Sequence, residues 1–311
     1  MNKDSVVIYG GSGFLGSYVA DELSEAGYQV RVFDLAPSRY IKRGQEMIVG
    51  DLLDFDAVKK AAKGCKYVYN FAGLADIGEA RDKPLDTAKV NVVGNMHVLE
   101  AAREAKSERF IFASTVYVFS ESGSFYRVSK QACEKFIEAY QERYGLDYTI
   151  LRYGSLYGRR AAGWNGIHNL LKQALEKKEL TYEGSDQAIR EYIHVKDAAR
   201  LSVQILAKEY ANRHIIITGR EALAVKSLLQ MIAEMVPGEV KIRFKAPGPD
   251  ADAHYVMSPY SFNPKLGNKL VANEHIDIGQ GLLDCLAEIH EQNHKGQHVE
   301  GDLLVGEKKQ V

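Results

Sequence analysis

Cysteine is scarce in this 311-residue chain, which has three: Cys65, Cys133 and Cys285. They are odd in number, far apart and in no metal-ligand spacing. That excludes a disulfide framework and a thiolate metal site, and it is what a reduced, cytoplasmic chain is expected to show. Long apolar runs are missing too. After Met-Asn-Lys-Asp the first one, Val6–Tyr9, is four residues long, too short for a signal-peptide core or a membrane span. Neither sign of charge is in excess: the formal net charge is −1, so wholesale attraction to nucleic acid or to an anionic membrane is not expected. His168, His214, His254 and His275 form no metal spacing, and no metal is expected. What is present is ordinary for a globular protein, 46% hydrophobic and 26% charged residues with seven prolines. The length suffices for one large or two modest domains with an ample core.

The first half alternates short apolar runs with helix-length amphipathic segments. Strands are expected at 5–9, 29–34, 47–49, 67–71, 109–114 and 148–152, with helices at 14–26, 55–62, 84–105 and 125–144. Such alternation predicts βαβ units and a doubly wound parallel sheet of Rossmann type, an α/β fold covered on both faces. This cofactor domain is expected over residues 1–160, with segments around 189–218 returning to it. Residues 161–292 are expected to form mainly a smaller, mixed α/β substrate domain. Helices are predicted there at 167–178, 196–208, 225–235 and 276–292, and strands at 215–218 and 240–244. A polar stretch, 293–311, is expected to be a flexible tail.

Between the first strand and the first helix stands Gly10-x-x-Gly13-x-x-Gly16. Glycines at this spacing permit a tight turn, close approach of a pyrophosphate and close helix–strand packing, and the helix start offers its free N–H groups to phosphate. Asp34 ends the second strand. A carboxylate there accepts from a ribose diol and repels a 2′-phosphate, which points to NAD rather than NADP; Arg39, five residues on, opposes that preference. Asp51, after the third strand, has two readings, an adenine contact or the N-cap of the next helix.

Tyr126-x-x-x-Lys130 places a phenol and an ammonium on one helical face, an arrangement expected to lower the phenol pKa from about 10 and make it a proton-transfer group. The preceding strand ends in Ser114 and Thr115, at the carboxyl edge of the sheet where ligands of such folds bind.

These segments together resemble the extended short-chain dehydrogenase/reductase family, in its nucleotide-sugar epimerase and dehydratase group. The resemblance runs from about Ser5 to Gly267 through GGSGFLG (10–16), Asp34, GDLLD (50–54), NFAG (70–73), NVVGNMHVLEAAR (91–103), FASTVYVFS (112–120), YRVSK (126–130), LRYGSLYGRR (151–160) and REYIHVKD (190–197). It implies that Tyr126 is the acid/base, that Lys130 lowers its pKa and holds the nicotinamide ribose, and that Thr115 bonds the reacting sugar oxygen. It implies NAD contacts from Gly10, Gly13, Phe14, Leu15 and Gly16 in the loop, and from Asp34, Asp51, Leu52, Ala72 and Asn91 beyond it. Ser114, Ser155 and Arg190 are implied as substrate contacts, with Arg190 on the pyrophosphate of a nucleotide sugar. A homodimer through the helices near 84–105 and 125–144 is implied as well.

The chain also departs from the family pattern. Dehydratases of the group carry an Asp-Glu pair after the threonine, and related decarboxylases a glutamate; here Val116 and Tyr117 follow, which argues against both reactions. Glu121 lies in a loop at no controlled position. Ser155 replaces an asparagine, and Ala246 stands where relatives have a second phosphate-binding arginine, with Arg243 and Lys245 close by. The segment between Thr115 and Tyr126 is short. His194 is open between a structural and a functional role, and Trp164, the sole tryptophan, between stacking on a ligand and packing. The expectation is an NAD-dependent nucleotide-sugar epimerase acting at C4 through a keto intermediate. The alternatives are an NAD(P)-dependent reductase or dehydrogenase and, in another class, a non-catalytic dinucleotide-sensing protein.

Overall fold

A computed structural model of the chain describes residues 4–161, 163–220 and 222–245. The chain runs β1 (Ser5–Tyr9), α1 (Phe14–Glu25), β2 (Gln29–Asp34), β3 (Glu46–Val49), α2 (Phe55–Ala62), β4 (Tyr67–Asn70), α3 (Ile77–Asp82), α4 (Pro84–Thr87), α5 (Gly94–Glu104), β5 (Arg109–Thr115), α6 (Ser124–Tyr144) and β6 (Tyr148–Tyr153). It continues as β7 (Ser155–Tyr157), α7 (Gly166–Lys177), β8 (Glu179–Glu183), β9 (Ile189–His194), α8 (Val195–Gln204), β10 (Arg213–Ile217), β11 (Ala222–Ala224), α9 (Val225–Met235) and β12 (Lys241–Lys245).

Seven strands pair in the order β10-β6-β5-β4-β1-β2-β3, and every pairing is parallel. Alternation along each strand loads both faces. Val6 and Ile8 of β1, with Ile111 of β5, enter one core with Val19 and Leu23 of α1 and Ala198 of α8. Val7, Tyr9, Phe110 and Phe112 enter the other, with Leu99 of α5 and Ile137 of α6. Helices on both faces require strands that are apolar on both, which explains the near-continuous apolar runs of the sequence. A three-stranded sheet, β11-β9-β7, and the parallel pair β12-β8 lie beyond. A third core forms there from Leu170 and Ala174 of α7, Leu180 of β8, and Leu228, Leu229 and Ile232 of α9.

The helix expected over 84–105 is interrupted. Between α4 and α5 the chain widens into a π-helical turn, Ala88–Val93, of the kind that frees a backbone carbonyl. Cys133 of α6 takes up that of Asn91, with Sγ 3.1 Å from the oxygen. The strands β7, β8, β9 and β11 and the helix α3 were not expected; each is six residues or shorter and carries little periodic signal. The expectations at Ala246, His254, His275, Cys285, the helix 276–292 and the tail 293–311 lie outside the described residues.

Candidate active site

The glycine loop is built for a close visitor. A Cβ on Gly10, which has φ +80°, would sit 2.5 Å from the Ala72 nitrogen, and one on Gly16 would sit 2.2 Å from the Gly10 oxygen. Only glycine lets β1, the loop and α1 approach so closely. Helix α1 starts at Gly13 with no side-chain cap and no acidic residue in its first turn. Its free N–H groups therefore lie next to a cleft of about 480 Å³ lined by Gly10, Gly13, Phe14, Leu15 and Gly16. An uncapped helix start at a glycine-lined cleft fits a dinucleotide pyrophosphate. Asp34 is tied to the same loop, its Oδ2 accepting from the Ser12 N–H at 2.9 Å.

Of the implied cofactor residues, Asp34, Asp51, Leu52, Ala72 and Asn91 are not among those that line the cleft. Asn91 is buried. Its side chain accepts from the Leu74 N–H at 2.7 Å and donates to the Leu74 carbonyl at 3.1 Å and to Ser129 Oγ at 2.9 Å. It thus fixes the 72–77 loop, whose Gly73, Leu74, Asp76 and Ile77 form the cleft wall. Leu52 is buried against Gly94 of α5, and the Ala72 backbone presses on Gly10. Asp51 accepts from the Leu53 N–H at 2.9 Å. The N-cap reading of Asp51 is corrected: Asp54 caps α2, accepting from the Ala57 N–H.

Thr115, Tyr126 and Lys130 meet on the far wall of the same cleft. Thr115 ends β5, and its hydroxyl hydrogen-bonds the Tyr126 phenol. Lys130 is buried, donates to the Ala113 carbonyl at 2.7 Å and lies 4.7 Å from the Phe112 ring centre and 5.8 Å from that of Tyr126. Burial lowers the Lys130 pKa to about 8, against the opposing influence of Cys133 and Glu134. Burial also pushes the phenol up to about 12, and the hydrogen bond from Thr115 only partly offsets this. The lowered phenol pKa expected from Tyr-x-x-x-Lys is therefore not a property of the pair alone. The ammonium is held by a carbonyl oxygen, and desolvation of the phenol outweighs its attraction.

Ser114 also lines this cleft. Its hydroxyl, expected on the substrate, donates to Glu134 Oε1 of helix α6 at 2.5 Å.

A second, larger cavity of about 870 Å³ adjoins the first and shares Tyr117, Ser155, Leu156, Trp164 and Asn165 with it. Arg190, on β9 and buried, lines the larger one, as do Gln173, Lys177 and Lys245. Ser155 stands where both meet. Tyr117 and Asn165 were not singled out for the site. Tyr117 packs edge-on against Tyr126 at 6.4 Å, and its place two residues after Thr115 was the available signal. Trp164 packs edge-on against Phe14 at 6.0 Å while half its surface is exposed. His194 caps α8, its Nδ1 accepting from the Lys196 N–H at 3.3 Å. Among the described residues no group of three or more His, Cys, Asp or Glu side chains is placed to hold a metal ion, and no helix is long and apolar enough to cross a membrane.

Comparison with known proteins places these features in a wider set. Residues 6–218 match the profile of the NAD dependent epimerase/dehydratase family. A putative UDP-glucose 4-epimerase of Methanocaldococcus jannaschii is 27% identical over 249 residues, covering 73% of this chain and 81% of that protein. A UDP-N-acetyl-alpha-D-glucosaminuronate decarboxylase of Bacillus cytotoxicus is 26% identical over 266 residues, covering 77% of this chain and 83% of that protein. Among solved structures, the UDP-glucose 4-epimerase of Thermotoga maritima with UDP-glucose superposes with a TM-score of 0.74 at 25% identity, covering 83% of this chain and 90% of its own.

Proposed function

The chain belongs to the NAD dependent epimerase/dehydratase family, and from that premise we propose that it is a nucleotide-sugar epimerase acting at C4 with NAD as its cofactor. The observation that carries this reading is the convergence of Thr115, Tyr126 and Lys130 on the cleft that the glycine loop opens, next to a cavity large enough for a nucleotide. Val116 and Tyr117 follow Thr115, and neither offers a carboxyl group for dehydration or decarboxylation.

The residues divide the work by their chemistry. The glycine loop and the start of α1 hold the dinucleotide, and Asp34 reads its ribose. When bound, NAD supplies a hydride acceptor, so that a carbinol carbon can be oxidised and then reduced on its other face, and a positive charge that favours a phenolate nearby. Tyr126 takes the hydroxyl proton and later returns it. Thr115 orients the same oxygen, and Lys130 supplies positive charge at the site. Arg190, with Lys177 and Lys245 in the larger cavity, holds the substrate's phosphates, while Ser155 stands beside the sugar. The half-exposed Val93, Phe125, Val128 and Phe136 on and beside α5 and α6 support a homodimer through these helices.

The test is turnover. Purified protein incubated with UDP-linked hexoses, N-acetylhexosamines and uronic acids should interconvert a C4 pair, read by anomeric NMR signals, with no net change in nicotinamide absorbance. Tyr126→Phe should lower kcat at least 10³-fold and leave bound NAD unchanged. A net absorbance change on adding substrate would favour a dehydrogenase, and full activity of the Phe variant would remove the assigned chemistry.

A further inference from the structure

Tyr126, Lys130 and Glu134 recur every four residues and so share one face of α6. Two of them face the cleft, and the third goes into the protein. Glu134 is 4% exposed and is held from two strands, with a histidine of a third nearby. Ser114 Oγ of β5 donates to Oε1 at 2.5 Å. Arg152 of β6 makes a fork, Nε to Oε1 at 3.0 Å and a terminal nitrogen to Oε2 at 2.6 Å. His214 of β10 stands 4.0 Å from Oε2 and 3.1 Å from Glu138. The register pairs Ser114 with Arg152 directly across β5 and β6, so one carboxylate fastens the helix to two adjacent strand ends. Arg152 is itself seated 4.5 Å from the Phe119 ring centre, in the turn that follows Thr115.

We propose that Glu134 is a positioning residue for proton transfer: with Arg152 and Ser114 it locks the face of α6 that carries Tyr126 and Lys130 against the strand end that carries Thr115. The inference rests on the chemistry assigned to those three residues. A bidentate, charge-assisted fork fixes both distance and rotation, and a misplacement of about 1 Å at a proton-transfer site costs on the order of 10²-fold in rate. Ser114 and Thr115 are consecutive on β5, so a shift of α6 relative to Ser114 is a shift of the phenol relative to the threonine hydroxyl. The carboxylate also acts at a distance. It is the buried negative charge that works with Cys133 against the desolvation of Lys130, while Arg152 and His214 surround it on its other side.

The experiment uses Glu134→Gln, which keeps the volume but turns an N–H₂ towards Arg152, and Glu134→Leu with Arg152→Met, which removes both charges together. The second variant guards against a buried, unpaired guanidinium that alone would prevent folding. NAD content, nucleotide-sugar KM, kcat and the pH profile of kcat are measured on each, with Tyr126→Phe alongside. Both variants should keep wild-type NAD content and a KM within about twofold, because the groups that bind lie elsewhere, and should lose about 10- to 100-fold in kcat. In Glu134→Gln the alkaline limb of the kcat profile should also move to lower pH, because Lys130 loses a charge that favours its protonated form. Wild-type kcat and pH profile in both variants would overturn the proposal, as would a kcat loss matched by an equal loss of bound NAD or of folded protein. If Tyr126→Phe is fully active, the site reading fails first and separately.

Discussion

At position 130 the protein holds an ammonium where burial disfavours it, and the two partners it gains, a carbonyl oxygen and an aromatic face, do not restore its ordinary pKa. The sign of the consequence is definite. The folded-state pKa, about 8, lies below the ordinary 10.5, so from pH 8 to 10.5 the unfolded chain binds a proton that the folded one releases, and this group's contribution to stability rises with pH. Below pH 8 its full cost remains, on the order of 3 kcal/mol. Replacing Lys130 with Met removes that cost and loses one hydrogen bond worth about 1 kcal/mol. Lys130→Met should therefore melt a few degrees higher at pH 7, with an advantage that narrows as the pH climbs above 8, while turnover falls at least 10²-fold. Calorimetry at several pH values reads the first and the NMR assay the second. A variant less stable than wild type at pH 7 would mean that the carbonyl contact outweighs desolvation. Stability sacrificed at a reacting site is a familiar exchange.

Among the elements, the turn after β5 gives the short segment between Thr115 and Tyr126 its form. Four residues, Val116–Phe119, form a 3₁₀ turn that begins with Thr115 Oγ1 accepting from the Tyr117 N–H at 3.3 Å. It delivers the Tyr117 ring to the wall shared by the two cavities. Gly123, before α6, has φ +102°, and a Cβ there would meet the Tyr117 ring at 2.9 Å. The short segment therefore puts an aromatic wall where the two cavities meet. Tyr117→Ala should widen the range of C4 pairs accepted, raising the ratio of kcat/KM for an N-acetylated over an unsubstituted hexose about tenfold, and Gly123→Ala should change the same ratio by displacing the ring. An unchanged ratio in both variants would remove Tyr117 from the specificity of the site. The sequence exposed the glycine loop and the grouping of Thr115, Tyr126 and Lys130 on one cleft, because glycine spacing, strand ends and helical periodicity are local signals. It did not expose the Tyr117 wall, the bracing role of Asn91 or the diversion of Ser114 to Glu134. Each of those depends on which face of an element meets which distant partner, and so on the tertiary contacts that decide it.

On the scale of the whole molecule, helix α1 of the seven-stranded half is fastened to the chain that leaves β7. Arg160 adopts φ +68°, a left-handed backbone uncommon for a non-glycine residue and costing about 1 kcal/mol. It is held there from several directions. Its guanidinium donates to Asp21 at 2.8 Å and to Ser17 at 3.2 Å, both on α1. It also lies between the rings of Tyr18 and Tyr40, 4.2 and 4.4 Å from their centres. Four residues on, Trp164 meets Phe14 at the start of the same helix. Helix α1, whose uncapped start lies at the glycine-lined cleft, is thus tied at both of these points to the segment whose Trp164 lines both cavities. The proposed chemistry keeps NAD bound through repeated turnovers, and this tie holds the cleft wall that includes Trp164 against the start of α1. Arg160→Met keeps the length of the side chain and removes the fork and the charge between the two rings. It should speed dissociation of NAD about tenfold or more, corresponding to about 1.4 kcal/mol, and leave kcat near wild type when NAD is supplied in excess. Desalting followed by enzymatic assay of the retained NAD measures the first, and turnover with and without added NAD the second. Retention equal to wild type would show that α1 holds its cofactor without help from the substrate side.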